Sequence, residues 1–239
     1  MDKVNIEGPR IFFTIPLFGG IPITETVINL FIVSGLLLIG SLILTHKLEK
    51  IPRKPTQILA EKIVTMIDNM VEETMGKRFA GFAPFILTLF ASSLLGSLIG
   101  LVGLRSTTQD FNTTLTWALC TAFFIHYTGF KYSGFKGYLH SFAEPYAFMT
   151  PINMLGIVTT PMSMSLRHFA NVLGGSAIMT LIYWALAGAS SALTLNVPIL
   201  QVGVPAIMSL YFDLFSGCIQ AFIFCMLTMV YVSNVAPGD

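Results

Sequence analysis

Charged side chains are scarce in this chain. Its 239 residues include only 13 Lys and Arg and 12 Asp and Glu, together 10% of the sequence, whereas 54% are hydrophobic. A water-soluble domain is typically about one quarter charged. So few charges cannot cover the surface of a water-soluble fold of this size, and lipid is therefore the predicted main solvent.

Cysteine and net charge are equally limited. Cys120, Cys218 and Cys225 lie in apolar stretches without the paired spacing of a disulfide framework or the spacing of a metal site. We expect each to be a small buried hydrophobic residue. The formal net charge of +1 argues against a nucleic-acid partner, because proteins that bind a polyanion carry a basic surface. Nothing in the sequence indicates a cofactor or a metal.

Five apolar stretches are long enough to cross a membrane, which takes about 20 residues. They cover residues 26–45, 82–104, 113–130, 151–192 and 200–232. The fourth stretch exceeds one perpendicular crossing, so its helix must be strongly tilted or partly outside the hydrocarbon. Residues 51–80 and 132–150 carry charges and are predicted to form interfacial segments, the first of them amphipathic. The sequence thus predicts an all-α membrane protein with one integral membrane domain, residues 1–239.

The distribution of Lys and Arg predicts the orientation, because cytoplasmic loops are enriched in these residues. With the N-terminus outside and the C-terminus in the cytoplasm, only Lys3, Arg10 and Arg105 lie outside. The cations placed inside are Lys47, Lys50, Arg53, Lys54, Lys62, Lys77, Arg78, Lys131 and Lys136.

Arg167 is the most informative residue, because it lies well inside the fourth apolar stretch. An arginine at the centre of a membrane helix costs from about 2.5 to well over 10 kcal/mol, depending on the method. No neighbour in its own helix is acidic. Arg167 is therefore either a functional residue or the partner of a carboxylate on another helix, and intramembrane charge favours function.

Further polar residues accompany Arg167. Asn171 lies one helical turn after it, and in the last span Gln220 lies two turns after Asp213 on one face. Because spans four and five are predicted to be antiparallel, Arg167 and Gln220 can share one depth, with Asp213 and Ser176 on the outer side. Singly, Asn171, Ser176 and Gln220 are explained equally well by hydrogen bonds between helices. Together they indicate an ion path.

Two motifs resemble a known family. The stretch from Pro161 to Ser176 resembles the arginine-bearing motif of ATP synthase subunit a. Residues Ile219 to Tyr231 match the terminal motif of that family almost residue for residue. Span number, topology and chain length agree with the family over the whole chain.

The resemblance implies an ion-translocating, non-catalytic stator subunit of a bacterial ATP synthase in the plasma membrane. Its partners would be the rotor ring of c subunits, the peripheral-stalk b subunits and the lipid bilayer. Spans four and five would form a long tilted pair facing the ring. By resemblance, Arg167 is the stator arginine with Asn171 and Gln220 as polar neighbours, and Ser176 and Asp213 lie on the outer path.

The sequence departs from the family pattern at several positions. Ser176 stands where many members have Glu, and Asp213 stands where His or Glu is common, which leaves one carboxylate on the outer path. Gly156 and Ile157 occupy the place of an inner acidic pair. The candidates for inner access are then His168, which replaces a leucine, and His140 and Glu144 in the preceding segment.

Two other classes of function compete with this interpretation. An intramembrane serine protease using Ser176 needs a histidine beside that serine, but His126, the other histidine within a span, is predicted near the opposite end. A secondary ion-coupled transporter typically shows internal repeats, and none is visible. Whether the coupling ion is H+ or Na+ stays open.

Overall fold

The computed structural model describes residues 10–16, 21–52, 54–143, 146–192 and 200–236, and most of them are helical. Two strands, β1 and β2, precede seven α-helices, α1 to α7, and a π-helix separates the last two. In chain order these elements are Ile11–Ile15, Ile21–Thr24, Glu25–Leu44, Pro55–Met75, Ala83–Leu98, Phe111–Ser141, Thr150–Ala192, Leu200–Ser209, the π-helix Leu210–Phe215, and Ser216–Asn234.

Four helical segments are long and apolar enough to cross a membrane: Glu25–Leu44, Lys77–Val102, Thr150–Ser190 and Ile207–Asn234. They correspond to the first, second, fourth and fifth predicted spans, and the chain is a mainly α-helical membrane protein. The predicted third span, 113–130, falls within α4, which is not among the four found in the described residues. Three buried threonines on α4, Thr114, Thr121 and Thr128, reduce its apolar character.

The N-terminal region corrects the expectation of a purely helical chain. Strands β1 and β2 pair antiparallel, with Ile15 opposite Ile21, and the backbone N–H of Glu25 donates to the carbonyl of Arg10 at 2.9 Å. Isoleucine and phenylalanine favour strands, and both residue types occur in β1. At five and four residues, these strands are far shorter than the apolar stretches of about 20 residues that indicate membrane spans.

The core forms where α2, α3, α4 and α7 meet. Phe79, Ile86 and Phe224 are each at most 1% exposed, and Ile67 and Val71 bring one face of α2 into the same cluster. The predicted amphipathic segment is therefore a helix whose apolar face packs on the bundle. Among the cysteines, the prediction of burial is right for Cys225 and wrong for Cys120, which is exposed.

Helix α5 lies at the edge of this bundle. Its 43 residues span about 64 Å, against a hydrocarbon layer of about 30 Å. In the most apolar 18-residue stretch of α5, only 11% of the residues are buried. The corresponding share is 44% in the segment Ile207–Asn234. One long face of α5 is thus uncovered by the rest of the described chain.

Candidate functional site

Arg167 lies on the uncovered face of α5. Thr159, Ser163, Arg167 and Asn171 follow one another at intervals of four residues, and all four are exposed, so they form a polar stripe along one side of the helix. No hydrogen bond or ion pair joins Arg167 to another described residue. The guanidinium therefore points away from its own bundle.

Contacts between α5 and the last helix fix the depth of the other polar residues. The Asn171 side-chain amide donates to the Ser216 hydroxyl at 2.8 Å, and a Cβ on Gly175 would lie 3.3 Å from the Phe212 Cβ. Both contacts belong to one antiparallel register. It brings Arg167 to the depth of Gln220, which is only 5% exposed.

The same register brings the backbone of Asp213 opposite Gly174. Asp213 belongs to the π-helix Leu210–Phe215, between α6 and α7. Such π-helical turns are rare and occur frequently at functional sites. The apolar stretch 200–232 predicts one uninterrupted span and gives no sign of this insertion.

A cavity of about 550 Å³ lies beside the first part of α5. We call it the Gly156 cavity; its wall includes Gly156 and Thr160 of α5, His126 and Tyr138 of α4, and Tyr231 of α7. Gly156 precedes Arg167 by eleven residues, about 16 Å along the helix axis. The cavity wall therefore includes Gly156 and Ile157, the two positions at which the resemblance implies an acidic pair that this sequence lacks.

A second cavity of about 610 Å³ lies beside the later part of α5. We call it the Ser176 cavity; its wall includes Ser176 and Thr180 of α5, together with Arg10, Glu25 and Arg105. Ser176 follows Arg167 by nine residues, about 14 Å along the axis. The exposed guanidinium thus lies between two cavities that border the same helix at different depths.

Glu25 is a residue that the sequence analysis missed. It is the only carboxylate among the described residues that line the Ser176 cavity, and it is half-buried there. A signal was available, because an outside N-terminus places the start of the first span at the same end as Ser176. Glu25 was passed over because it precedes the apolar stretch instead of interrupting it.

The Ser176 hydroxyl does not have the surroundings of a protease nucleophile. It donates to the carbonyl of Leu173 in its own helix at 2.8 Å. No histidine is among the described residues that line its cavity, and His126 lines the other cavity. The geometry that nucleophilic activation requires is absent from the described part of the chain.

The three residues predicted for inner access, His168, His140 and Glu144, do not come together at one site in the described structure. His168 is fully buried in the bundle; its Nε2 lies 3.3 Å from the Ser93 hydroxyl, and its ring packs edge-on against Trp117 and Phe224. His140 is exposed on α4. Neither histidine is among the residues that line the Gly156 cavity. Glu144 lies outside the described residues.

Comparison with known proteins supplies the family. The family described as ATP synthase A chain matches residues 27–233. ATP synthase subunit a of Moorella thermoacetica is 32% identical over 221 residues, covering 92% of this chain and 94% of that protein. The sodium-ion-specific ATP synthase subunit a of Propionigenium modestum is 31% identical over 266 residues, covering 98% and 86%. ATP synthase subunit a of Geobacter sulfurreducens is 34% identical over 203 residues, covering 83% and 81%. With its matching region running through nearly all of the helical bundle, the chain belongs to the ATP synthase A chain family.

Proposed function

We propose that this chain is the ion-translocating stator subunit of a rotary ATP synthase and that it carries no catalytic site itself. The observation that carries the proposal is the position of Arg167. Its guanidinium is exposed on α5 and has no partner among the described residues. It lies between two cavities that border α5 at different levels along the helix axis.

The cost of an unpaired guanidinium in lipid argues for a partner on another chain. Water-filled surroundings or an opposing charge reduce that cost. The partner that fits is a membrane-embedded carboxylate presented by a ring of c subunits turning past α5. The exposed polar stripe through Ser163, Arg167 and Asn171 would then face the ring. The ring would turn past the surface formed by α5 and the last helix.

The two cavities would serve as offset half-channels. An ion enters through the Ser176 cavity, with Asp213 on its path, and neutralises a ring carboxylate, which can then turn into lipid. After a nearly complete turn the ion leaves through the Gly156 cavity. Arg167 stays protonated, because arginine does not give up its proton in proteins; it holds the facing carboxylate ionised and blocks a leak between the cavities. Gln220, at the same depth, is a polar neighbour of this exchange.

Charge distribution supports an orientation for this assembly. Arg78 lies over the rings of Phe79 and Tyr132, and Lys131 lies over the Tyr132 ring, so cations gather at one end of the bundle. Arg10 and Arg105 line the Ser176 cavity at the other. By the enrichment of cations inside, the Ser176 cavity faces outward.

This orientation gives one bacterial plasma-membrane domain with five spans, α4 supplying the third. The N-terminus lies outside and the C-terminus in the cytoplasm. Peripheral-stalk b subunits would hold the chain still against the turning ring.

An Arg167→Ala variant tests the proposal. In the assembled complex in sealed vesicles, we expect ATP-driven ion pumping and ion-driven ATP synthesis to be lost while the subunit still copurifies with the ring. Ser163→Ala is the matched control, because Ser163 lies one turn away on the same exposed face, and it should pump at close to the wild-type rate. Undiminished coupled pumping by Arg167→Ala would refute the proposal. Ion transport by the purified chain alone, without a ring, would favour a secondary transporter.

A further inference from the structure

The Gly156 cavity contains a pair of titratable side chains that the sequence analysis did not assign to transport. We propose that His126, positioned by Tyr138, receives the proton of the ring carboxylic acid in this cavity and passes it to the adjoining water. The inference rests on the proposed function and adds the coupling ion, H+, and the group that carries it.

Geometry joins the two side chains at the cavity wall. A hydrogen bond of 2.6 Å links Nδ1 of His126 to the Tyr138 hydroxyl. His126 is half-buried, whereas Tyr138 is only 6% exposed. The phenol therefore fixes the imidazole from the bundle side, and both residues border the cavity.

The backbone of α4 is shaped to make this contact. In a straight helix, residues twelve apart lie about 18 Å apart along the axis, too far for a hydrogen bond. At Gly134 the chain takes φ +67° and ψ 168°, a conformation that glycine tolerates far better than other residues. This kink turns the end of α4 back, so that Tyr138 reaches His126.

A second glycine makes room for the phenol. A Cβ on Gly129 would collide with the Tyr138 ring and with the Val235 side chain. The Tyr138 ring also packs edge-on against Phe130 at 4.7 Å and Phe142 at 5.0 Å between ring centroids. The phenol is thus held in one position by close packing, which is the condition for holding a partner in turn.

Few of the side chains that line the Gly156 cavity can carry a proton. Among the described residues that line the Gly156 cavity there is no carboxylate, lysine or arginine. The titratable groups facing the cavity are His126 and Tyr138 from α4 and Tyr231 from α7, and the lining residues of α5 contribute none. Histidine is the side chain that changes charge near neutral pH, so His126 is the carrier that this set provides.

The transfer balances as a simple relay. The ring carboxylic acid loses its O–H proton, directly or through cavity water, to Nε2 of neutral His126. In the tautomer with a free Nε2, Nδ1–H already donates to the Tyr138 oxygen, and this acceptor stabilises the imidazolium that forms because it faces the positive charge. The imidazolium releases a proton to water, and the carboxylate left on the ring moves on to face Arg167.

Three substitutions in the assembled complex test this assignment. ATP-driven proton uptake into sealed vesicles is measured across pH 6 to 9. We expect His126→Gln, which keeps a polar side chain, to slow pumping about tenfold or more, since a positioned proton carrier contributes on the order of 10²–10⁴ in rate. Tyr138→Phe retains the ring packing and loses the hydroxyl; it should cause a smaller loss and shift the pH profile. His46→Gln is the control, because His46 is exposed at the end of α1.

A rescue experiment separates transport from structure. A Cβ on Gly156 meets no atom within 4 Å, so Gly156→Glu can place a carboxylate at the cavity wall. We expect Gly156→Glu to restore pumping to the His126→Gln variant.

Three results would overturn the assignment: wild-type pumping by His126→Gln at every pH, a loss caused by His140→Gln instead, or pumping that requires Na+. If these appear while Arg167→Ala still abolishes coupling, the proposed function stands and only the His126 assignment fails.

Discussion

The two cavities beside α5 have similar volumes and opposite chemistry. The Ser176 cavity is lined by Arg10, Glu25 and Arg105, whereas the described lining of the Gly156 cavity contains neither a carboxylate nor a basic chain other than His126. One helix therefore borders a charged compartment and a nearly uncharged one. Under the proposed function, this difference means that an ion is captured and released by different groups.

The largest expected effect concerns the separation of the cavities. In a chain without its native cysteines, Ser176→Cys should react with a membrane-impermeant maleimide from one side of sealed vesicles only. Gly156→Cys should react only from the opposite side. The reason is that a thiol reacts as the thiolate, which forms where water reaches it. Labelling of inside-out and right-side-out vesicles measures the difference.

Leu166→Cys serves as the control for labelling. Leu166 is 46% exposed on the membrane-embedded part of α5 and lines neither cavity, so its thiol should stay unreactive from both sides. Equal reaction of Ser176→Cys and Gly156→Cys from one side would show a single compartment and would refute the proposal of two offset half-channels.

The second prediction acts on the Gly156 cavity alone. Gly129→Ala adds a methyl group that collides with Tyr138 and Val235. Overpacking a well-packed core costs about 1–3 kcal/mol, so we expect a lower thermal midpoint for the complex and, because Tyr138 is displaced from His126, slower proton release. Light scattering and vesicle pumping report the two effects.

Gly137→Ala is the matched control on the same helix. A Cβ on Gly137 lies at an ordinary 3.5 Å from Ser133, so both quantities should stay close to wild type. A Gly129→Ala complex with a lowered midpoint and normal pumping would show that pumping does not depend on the position of Tyr138.

The sequence could predict those features that leave a long apolar stretch or interrupt one. The long apolar stretches indicated both ends of α1 and α5 and the start of α3 to within one residue, because lipid imposes a minimum length on each; α3 itself ends at Leu98, six residues before the predicted end of the second span. The position of Arg167 was equally accessible, since one arginine in an apolar stretch is conspicuous.

The pairing of His126 with Tyr138 was not accessible in the same way. It depends on the kink at Gly134. The sequence contains 20 glycines, and nothing distinguishes Gly134 from the others as the position of a kink. The π-helix around Asp213 was hidden for a similar reason, because the π-helical turn leaves the apolar pattern of the last span unbroken.

The third prediction compares two carboxylates on the proposed outer side, Asp213 and Glu25. Asp213→Asn should slow ion capture several-fold with assembly intact, since Asp213 lies in the π-helix opposite Gly174. Glu25→Gln should slow capture less, because Glu25 borders the cavity at the start of α1 and acts on the local ion concentration. Initial rates at low and high salt separate the roles, because screening weakens only the longer-range effect. A larger loss from Glu25→Gln than from Asp213→Asn would reverse the assignment.

The smallest effect is expected at the contact that sets the register of the two helices. Asn171→Ala removes the hydrogen bond to Ser216 on an exposed surface, and such a bond contributes about 0.5–1.5 kcal/mol. Because the packing of Phe212 on Gly175 maintains the same register, pumping should fall by no more than about half, a change of about 0.4 kcal/mol in the barrier.

Ser216→Ala should give the same loss, and the double variant should be no worse than either single one, since both remove the same hydrogen bond. Additive losses would mean that Asn171 acts on the ring side of α5, where it follows Arg167 along the stripe.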